Sequence, residues 1–239
     1  MKNGKKRRAF DVAHSARQNS SGDGAFSLAS GHLGALVRKE NASFRLHALY
    51  SILKRGGDLM LSALLLLFLA LPMLLIAVWV RSDSNGPAIF RQTRVGRKGR
   101  HFTVYKFRTM EMGTPCCSSA DLSRLGRARY ITGAGLILRR TGLDELPQLW
   151  NVLCGEMSLV GPRPVIPEEE KLILLRASLG ASDLRPGITG LAQVSGRDNC
   201  AVEEKAALDA LYARIQSPLT DIRVLLKTVG TVFSGKGCN

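Results

Sequence analysis

The stretch LMLSALLLLFLALPMLLIAVWV, residues 59–80, is an uncharged run of 22 residues and decides the fold class. About 20 apolar residues suffice for a helix to cross the hydrocarbon core of a bilayer, so the run predicts a membrane-embedded helix. Basic residues flank it on both sides, and positive charge near a membrane segment tends to stay cytoplasmic. Pro72 removes a backbone hydrogen bond within the run and predicts a kink. The residues alone leave two paths open: a kinked helix that enters and leaves on one face, and a tilted single span with a tolerated proline.

The chain carries a large excess of positive charge. Its 239 residues include 34 Lys and Arg against 19 Asp and Glu, for a formal net charge of +15. Such an excess predicts an anionic partner: nucleic acid, a phospholipid surface or a phosphorylated substrate. The basic residues are concentrated in residues 1–57 and 81–110, which flank the apolar run. The five cysteines contain no CxxC pair and the four histidines have no partner at metal-ligand spacing. This argues against a disulfide framework or a zinc site and favours a reducing compartment.

Hydrophobic periodicity predicts a mainly α-helical chain with one small β-hairpin. Residues 1–45 are rich in Ser, Gly, Lys and Arg with little periodicity, which predicts a disordered basic arm. Residues 46–81 comprise a short basic interfacial segment and the membrane helix, and residues 82–239 form the remaining domain. That domain begins with the β-prone stretches AIFRQTRV and HFTVYKFR around GRKGR, which predict the hairpin. Helical patterns follow near residues 130–140, 143–154, 167–179, 201–216 and 219–233.

Two adjacent carboxylates, Asp144 and Glu145, stand in LDELP. Neighbours on a helix point about 100° apart, so the two acids would serve different partners rather than share one proton. Pro147 favours the first turn of a helix, which places both acids near its positive end. The alternative is a helix cap, because Thr141 and Asp144 have the spacing of a capping box.

Several cations are candidates for holding an anion. Arg163 is fixed inside GPRP and Arg185 inside RPG, where prolines restrict the backbone and glycines permit close approach. Guanidinium groups match phosphate oxygens bidentately. On the second predicted strand Lys106 and Arg108 share a face, which is either an anion site or a solvated strand face. Rigid cations, an acid pair and a membrane segment together predict phosphate chemistry at a lipid surface.

From about Lys54 to Gly237 the chain resembles the bacterial sugar transferases, the monotopic polyprenyl-phosphate phosphoglycosyl transferases. The resemblance implies a re-entrant membrane helix that returns at Pro72, and a cytosolic catalytic domain at residues 82–239. The family usually places a small polar residue before this proline, where the chain has Leu71. Larger members carry further spans and a further domain ahead of this core, so we expect the minimal type. Six motifs in the family's order carry the resemblance: KRGGD, GPAIFRQTRVG, FTVYKFRTM, LRRTGLDELPQLWNVLCGEMSLVGPRP, RPGITGLAQVSGR and LLKTVGTVFSGKG.

The resemblance also implies an activity. Asp144 would be the nucleophile that attacks the β-phosphate of a nucleoside-diphosphate sugar, usually a UDP-sugar, and Glu145 would bind Mg²⁺. Polyprenyl (undecaprenyl) phosphate would then accept the phosphosugar. We therefore expect a polyprenyl-phosphate sugar-1-phosphate transferase at the cytoplasmic face of the bacterial inner membrane, initiating exopolysaccharide, O-antigen or glycoprotein glycan assembly. The expected substrate-binding residues are Lys106, Arg108, Arg139, Arg163, Arg185, Gln193 and Arg197.

Two other classes of protein compete with the transferase. A membrane-tethered nucleic-acid binder would interleave aromatic side chains with its basic surface for base stacking, yet only 6% of the residues are aromatic. We therefore expect no nucleic-acid partner. A non-catalytic membrane scaffold is the second alternative. The sequence leaves open the sugar, the polyprenol length and the oligomeric state, including a homodimer.

Overall fold

The computed structural model describes residues 23–114, 127–195 and 201–234, and the chain forms two compact units, Met1–Ser51 and Ile52–Asn239. The described residues of the first unit are helical and belong to α1, Asp23–Asp83. The sequence predicts a disordered arm over residues 1–45, whereas the structure has residues 23–45 in helix. No proline precedes Pro72 in this helix, and Ala and Leu, which are strong helix formers, recur along it. Residues 1–22 of the predicted arm lie outside the described part.

The apolar part of α1 is long enough to cross a membrane by length and composition. It covers Leu49–Asp83, 35 residues, and only 6% of its most apolar window is buried inside the protein. The core helix of a water-soluble protein would instead bury this face. Leu67 and Phe68 are among the exposed apolar side chains, which suits a lipid environment. The helix continues through Pro72, and a re-entrant path at this proline stays a prediction.

The predicted hairpin is confirmed. Strand β1, Ile89–Val95, pairs antiparallel with β2, His101–Phe107, and a short 3-10 turn at Arg97–Gly99 joins them. Lys98 in this turn has a φ of 57°, in the left-handed region. Arg94 lies opposite Phe102 and Phe90 opposite Lys106, and alternate positions share a face. One face of the hairpin therefore carries both Arg94 and Lys106.

The remaining elements are mostly helices, close to the predicted ranges. Their bounds are α2 Gly133–Thr141, α3 Gln148–Leu153, α4 Glu170–Leu179, α5 Leu191–Val194, α6 Val202–Ile215 and α7 Pro218–Ser234. Helix α2 precedes the acid pair, α3 follows it, and α4 follows the GPRP motif. Helices α6 and α7 complete the domain. Further 3-10 turns lie at Arg127–Tyr130, Leu143–Glu145 and Ala181–Asp183.

A second, parallel strand pair was not predicted from the sequence. Strands β3, Ser158–Val160, and β4, Gly187–Thr189, are three residues each. They cross at glycines: a Cβ on Gly187 would lie 2.1 Å from the backbone nitrogen of Gly161, so only glycine fits. This crossing brings the GPRP and RPG motifs together. The core packs around it, on Val104, Leu149, Val152, Met157, Val160, Tyr212 and Val224.

Polar contacts connect the apolar part of α1 to the following domain at both ends. At its beginning, the buried Asp58 carboxylate accepts hydrogen bonds from Ser158 Oγ (2.7 Å) and from the Leu159 amide (3.4 Å). At its end, Asp83 Oδ2 accepts a hydrogen bond from the Ala134 amide at 2.9 Å. The apolar part of α1 and the domain that follows it are thus fixed to each other within the second unit.

Arg108 belongs to this second attachment rather than to an open anion site. Its guanidinium is buried and donates to three backbone carbonyls, those of Val80 (3.2 Å), Ser84 (2.7 Å) and Asn85 (2.5 Å). Because these contacts occupy both Nη groups, we assign Arg108 to the end of α1 and do not retain it as a substrate ligand.

Candidate active site

The acid pair lies in a 3-10 turn between two helices. Gly142 adopts a left-handed φ of 69° and ends α2, and Leu143–Glu145 then turn the chain before α3. The alternative prediction, in which Thr141 and Asp144 cap the following helix, is wrong. Thr141 Oγ1 donates to the Ile137 carbonyl of its own helix at 2.8 Å, and no side chain caps α3. Both carboxylates are therefore available to other partners.

Glu145 is the more strongly held of the two acids. Its Oε1 accepts hydrogen bonds from Lys106 Nζ at 2.7 Å and from Arg163 Nη2 at 3.2 Å, and the side chain is 19% exposed. Burial alone would raise the pKa of Glu145, but the charges and hydrogen bonds of Lys106 and Arg163 lower it to about 2. Glu145 is thus an ionised carboxylate at any physiological pH.

This ion pair predicts a pH dependence of stability. The pKa of Glu145 falls from its ordinary 4.5 to about 2 on folding, so its stabilisation is complete above pH 4.5 and is lost as the pH falls towards 2. The contribution at neutral pH is on the order of 3 kcal/mol. We expect the difference in thermal midpoint between the wild type and Glu145→Gln to be largest at pH 7 and to shrink between pH 4.5 and 2.5. A difference that stayed constant over this range would contradict the assignment.

Asp144 differs from its neighbour in its surroundings. Within the described residues its half-buried carboxylate makes no hydrogen bond or ion pair. Burial raises the pKa of Asp144, the positive charge of Lys106 opposes this rise, and the negative charge of Glu145 adds to it. Arg139 and Arg163 lower the pKa less strongly. The environments therefore push the pKa values of two adjacent acids apart, a pattern typical of acids with separate roles in one site.

Three of the predicted cations surround the acid pair. Lys106 extends from β2, and burial lowers its pKa although Glu145 opposes the shift. Arg139, in the last turn of α2, donates from Nε to Thr109 Oγ1 at 2.8 Å. Arg163 follows β3 and its side chain is 47% exposed, so its guanidinium is accessible to a ligand. These side chains, with the two acids, make a compact charged site.

Arg94 is a fourth cation that the sequence analysis did not select. Burial lowers its pKa, and so does the charge of Arg163, while the charges of Glu169 and Glu145 oppose the shift. Its Nη2 donates to Gln92 Oε1 at 2.5 Å and its Nη1 to the Pro164 carbonyl at 3.4 Å. The hairpin register contained the necessary signal, because it puts Arg94 on the same face as Lys106.

Two other predicted substrate residues, Arg185 and Gln193, contact backbone carbonyls rather than the acid pair. Arg185 donates from Nε to the Gly155 carbonyl at 3.0 Å, and the charges that act on it are those of Arg55, Arg97 and Asp58. Gln193 donates from Nε2 to the Ile188 carbonyl at 3.1 Å. Arg197 lies outside the described residues.

A buried ion pair between Arg176 and Asp209 holds the backbone of Arg163 in place. Arg176 of α4 contacts Asp209 of α6 through Nε (2.8 Å) and Nη2 (2.6 Å), and Asp209 is 2% exposed. Its third nitrogen, Nη1, donates to the backbone carbonyl of Arg163 at 2.9 Å. One planar guanidinium thus joins two helices to the loop that carries Arg163, which makes Arg176 a positioning residue.

Replacing Arg176 with lysine tests whether its positive charge alone, or also its planar hydrogen-bonding geometry, is needed to position Arg163. Lysine keeps a positive charge beside Asp209 but gives up the planar fork that also reaches the Arg163 carbonyl. We expect kcat/KM for the sugar-nucleotide donor that the family resemblance implies to fall about 10- to 100-fold through a displaced Arg163. The free energy of unfolding should fall by only about 1 kcal/mol. Arg214→Lys, at an exposed position of α6, is the matched control. An unchanged kcat/KM in a less stable protein would leave Arg176 with a purely structural role.

The acid pair fits Mg²⁺ only together with a phosphate ligand. Within the described residues no group of three His, Cys, Asp or Glu side chains could hold a metal ion. Mg²⁺ is commonly bound by one or two carboxylates plus substrate phosphates and waters, and the pair supplies this donor set. Glu145 Oε2 and the Asp144 carboxylate accept no hydrogen bonds from the described residues, so oxygens remain available on both acids.

Comparison with known proteins gives a consistent set of relatives. A family model described as bacterial sugar transferase matches residues 49–235. The chain is 41% identical over 202 residues to a UDP-galactose-lipid carrier transferase of Erwinia amylovora, a match covering 77% of the chain and 41% of the relative. It is 38% identical over 192 residues to a UDP-glucose:undecaprenyl-phosphate glucose-1-phosphate transferase of Escherichia coli, covering 77% and 41%. An uncharacterized sugar transferase of Bacillus subtilis is 38% identical over 188 residues, covering 78% and 90%. The chain thus spans about two fifths of the first two relatives and nearly all of the third.

Proposed function

Because the chain belongs to the bacterial sugar transferase family, we propose that it transfers a sugar phosphate from a nucleoside-diphosphate sugar to polyprenyl phosphate. Relatives in Klebsiella pneumoniae and Salmonella typhimurium are named for undecaprenyl phosphate, and the first also for UDP-glucose. The observation that carries the proposal is the contrast within the acid pair: Glu145 is bound by two cations, whereas Asp144 is half-buried and makes no ion pair with the described residues. A carboxylate in this state, surrounded by cations, suits nucleophilic attack on a phosphate.

The proposed reaction has two steps through Asp144. In the first, a carboxylate oxygen of Asp144 attacks the β-phosphorus of the UDP-sugar. The bond from this phosphorus to the bridging oxygen breaks, and UMP leaves with the electron pair. In the second, a phosphate oxygen of polyprenyl phosphate attacks the same phosphorus, and the bond to Asp144 breaks. The products are a polyprenyl-diphosphate-linked sugar and the free carboxylate.

The surrounding side chains overcome the repulsion between a carboxylate and a diphosphate. Arg163 is exposed enough to contact a phosphate oxygen, while Lys106 stays paired with Glu145. Arg139 and Arg94 add positive charge around the place where negative charge develops in transfer. Raising the pKa of Asp144 makes its ionised carboxylate a stronger base and a better nucleophile.

We propose that Mg²⁺ takes part as a ligand shared by the acid pair and the substrate diphosphate. Asp144 and the free oxygen of Glu145 would hold it, and it would neutralise phosphate charge when bound. The binding and orienting groups of the chain itself are the arginines and Lys106.

The membrane segment supplies the proposed location of the reaction. Asp58 and Asp83 fix this segment to the catalytic domain, so the site is held near the bilayer surface. We propose the cytoplasmic face of the bacterial inner membrane and a re-entrant helix at Pro72. Both basic flanks of the segment would then lie on the cytoplasmic side.

The test is UMP release by the purified full chain in lipid nanodiscs, with Mg²⁺ and a panel of UDP-sugars. Without acceptor, we expect a burst of UMP no larger than one per active site, because Asp144 stays occupied. Adding undecaprenyl phosphate should convert the burst into continuous turnover. Turnover without a burst would contradict the covalent step, and no release from any nucleotide sugar by folded protein would contradict the transferase.

A further inference from the structure

Three arginines meet at the beginning of the membrane segment, away from the acid pair. Arg55 donates to the carbonyls of Leu153 and Met157, each at 3.4 Å, and Arg185 donates to the carbonyl of Gly155 at 3.0 Å. Both guanidiniums therefore border the same turn between α3 and β3. Arg97 donates from Nε to the Asp183 carbonyl at 2.8 Å, two residues before Arg185. The three side chains come from α1, the hairpin turn and the RPG motif.

Within the described residues, none of these arginines has a carboxylate partner. Asp58 is the acid whose charge acts on Arg185, but its hydrogen bonds go to Ser158 and Leu159. Glu156, in the bordering turn, accepts a hydrogen bond from Asn151 at 2.7 Å. Burial lowers the pKa of Arg185, and the charges of Arg55 and Arg97 lower it further. Like charges held together without a counterion repel one another, and a bound anion would remove this cost.

Donor groups remain for such an anion. Neither Nη group of Arg185 or of Arg97 has an acceptor within the described part of the chain. Two guanidiniums with free Nη groups match the oxygens of one phosphate. Lys54 provides a contrast: this neighbour of Arg55 is only 11% exposed and forms an ion pair with Asp221, so its charge is already neutralised.

The position of the cluster favours a lipid over a soluble ligand. Ile52 and Leu53, which precede Lys54 and Arg55, are 69% and 63% exposed, and the uncharged run begins at Leu59. An exposed apolar surface beside unpaired arginines is typical of a segment at the boundary between lipid chains and headgroups. Phosphate is the anion found at that depth.

We propose that Arg55, Arg97 and Arg185 form a binding site for the phosphate group of a membrane lipid, separate from the acid pair. The site goes beyond the proposed transferase reaction and requires only that the membrane segment is inserted. A bound lipid phosphate would fix the height of the domain on the bilayer. The shared chemistry is a phosphate ester, carried by a phospholipid headgroup or by the polyprenyl phosphate itself.

The experiment is a lipid titration of the purified full chain in a neutral detergent, read by thermal midpoint and by native mass spectrometry. The probes are phosphatidylglycerol, undecaprenyl phosphate, inorganic phosphate and a diacylglycerol without phosphate. We expect a lipid phosphate to raise the midpoint and to be retained, and diacylglycerol to do neither. Tighter binding of phosphatidylglycerol would identify a phospholipid headgroup, and tighter binding of undecaprenyl phosphate the acceptor.

The variants localise the binding. Arg55→Gln and Arg185→Gln should each weaken lipid binding about 10-fold or more, as loss of a charge-assisted bidentate contact does. Arg97→Gln changes an exposed side chain, so it tests the site even if the other two variants fold poorly. Arg214→Gln removes an equal charge elsewhere and should bind as wild type. Equal binding by wild type and all three variants would overturn the site. Lipid binding is measured without turnover. A folded chain that binds lipid but releases no UMP would therefore contradict the proposed transferase activity and still support this site.

Discussion

Asp144→Asn should abolish UMP release while leaving the protein folded. The substitution keeps the shape of the side chain and replaces the proposed nucleophilic carboxylate with an amide, so both the burst and the turnover should fall by on the order of 10⁴-fold or more. The measurement is single-turnover UMP release in nanodiscs, with Asp183→Asn as a control at an exposed acid of the same domain. Continued release by Asp144→Asn would remove Asp144 from the mechanism.

The same variant makes a second, opposite prediction for stability. Because burial raises the pKa of Asp144, the ionised form is less favourable in the folded than in the unfolded protein. At neutral pH this carboxylate therefore costs stability, and the neutral asparagine removes the cost. We expect the thermal midpoint of Asp144→Asn to equal or exceed that of the wild type. An inactive and more stable variant would fit a catalytic site kept at the expense of stability.

Glu145→Gln should lower both stability and activity. Lys106 is 20% exposed and would lose the carboxylate that compensates its burial, a change that costs about 3–5 kcal/mol for buried pairs. The neutral amide also holds Arg163 less firmly and is a poorer ligand for Mg²⁺, so UMP release should fall about 10²- to 10³-fold. Glu111→Gln, at an exposed position, is the control for removal of one carboxylate.

A double variant separates the two effects of Glu145. Lys106→Met together with Glu145→Gln removes both buried charges, so most of the lost stability should return. The rate of UMP release should stay low, because neither the carboxylate nor the lysine is restored. If the double variant recovered activity along with stability, the pair would be structural, and the transferase chemistry would need other residues.

Predictions from local patterns were close for the long elements. The hairpin followed from two β-prone stretches around a glycine-containing turn, and the helices α4, α6 and α7 from apolar spacing. Local pattern was less reliable at α3, where a helix over 143–154 would put Leu146, Trp150 and Leu153 on one apolar stripe. The Trp150 side chain is 55% exposed, and Leu149 and Val152 face the core instead. The 3-10 turn at the acid pair rotates the following helix relative to one continuous helix over 143–154.

The parallel pair β3–β4 could not be predicted from local sequence patterns. Strands of three residues are too short to show an alternation of apolar and polar residues, and the two strands are about 30 residues apart in the chain. The sequence predicts that the glycines and prolines of GPRP and RPG hold arginines in position to bind an anion. The structure gives the glycines another reason, which is the close crossing of two backbones. Arg185 accordingly faces the Gly155 turn, and Arg163 alone of these two reaches the acid pair.

The sequence by itself determined the long apolar helix, the hairpin and most of the other helices, because each depends on the hydrophobicity or period of consecutive residues. It also marked the acid pair, whose members are neighbours in the chain. Only the tertiary structure decided which cations surround that pair. Lys106 comes from β2, Arg139 from α2, Arg163 from the loop after β3 and Arg94 from β1. Residues this far apart in sequence meet only when the chain packs, so side chains of one type, such as Arg108 and Arg163, acquire different roles from their positions in the fold.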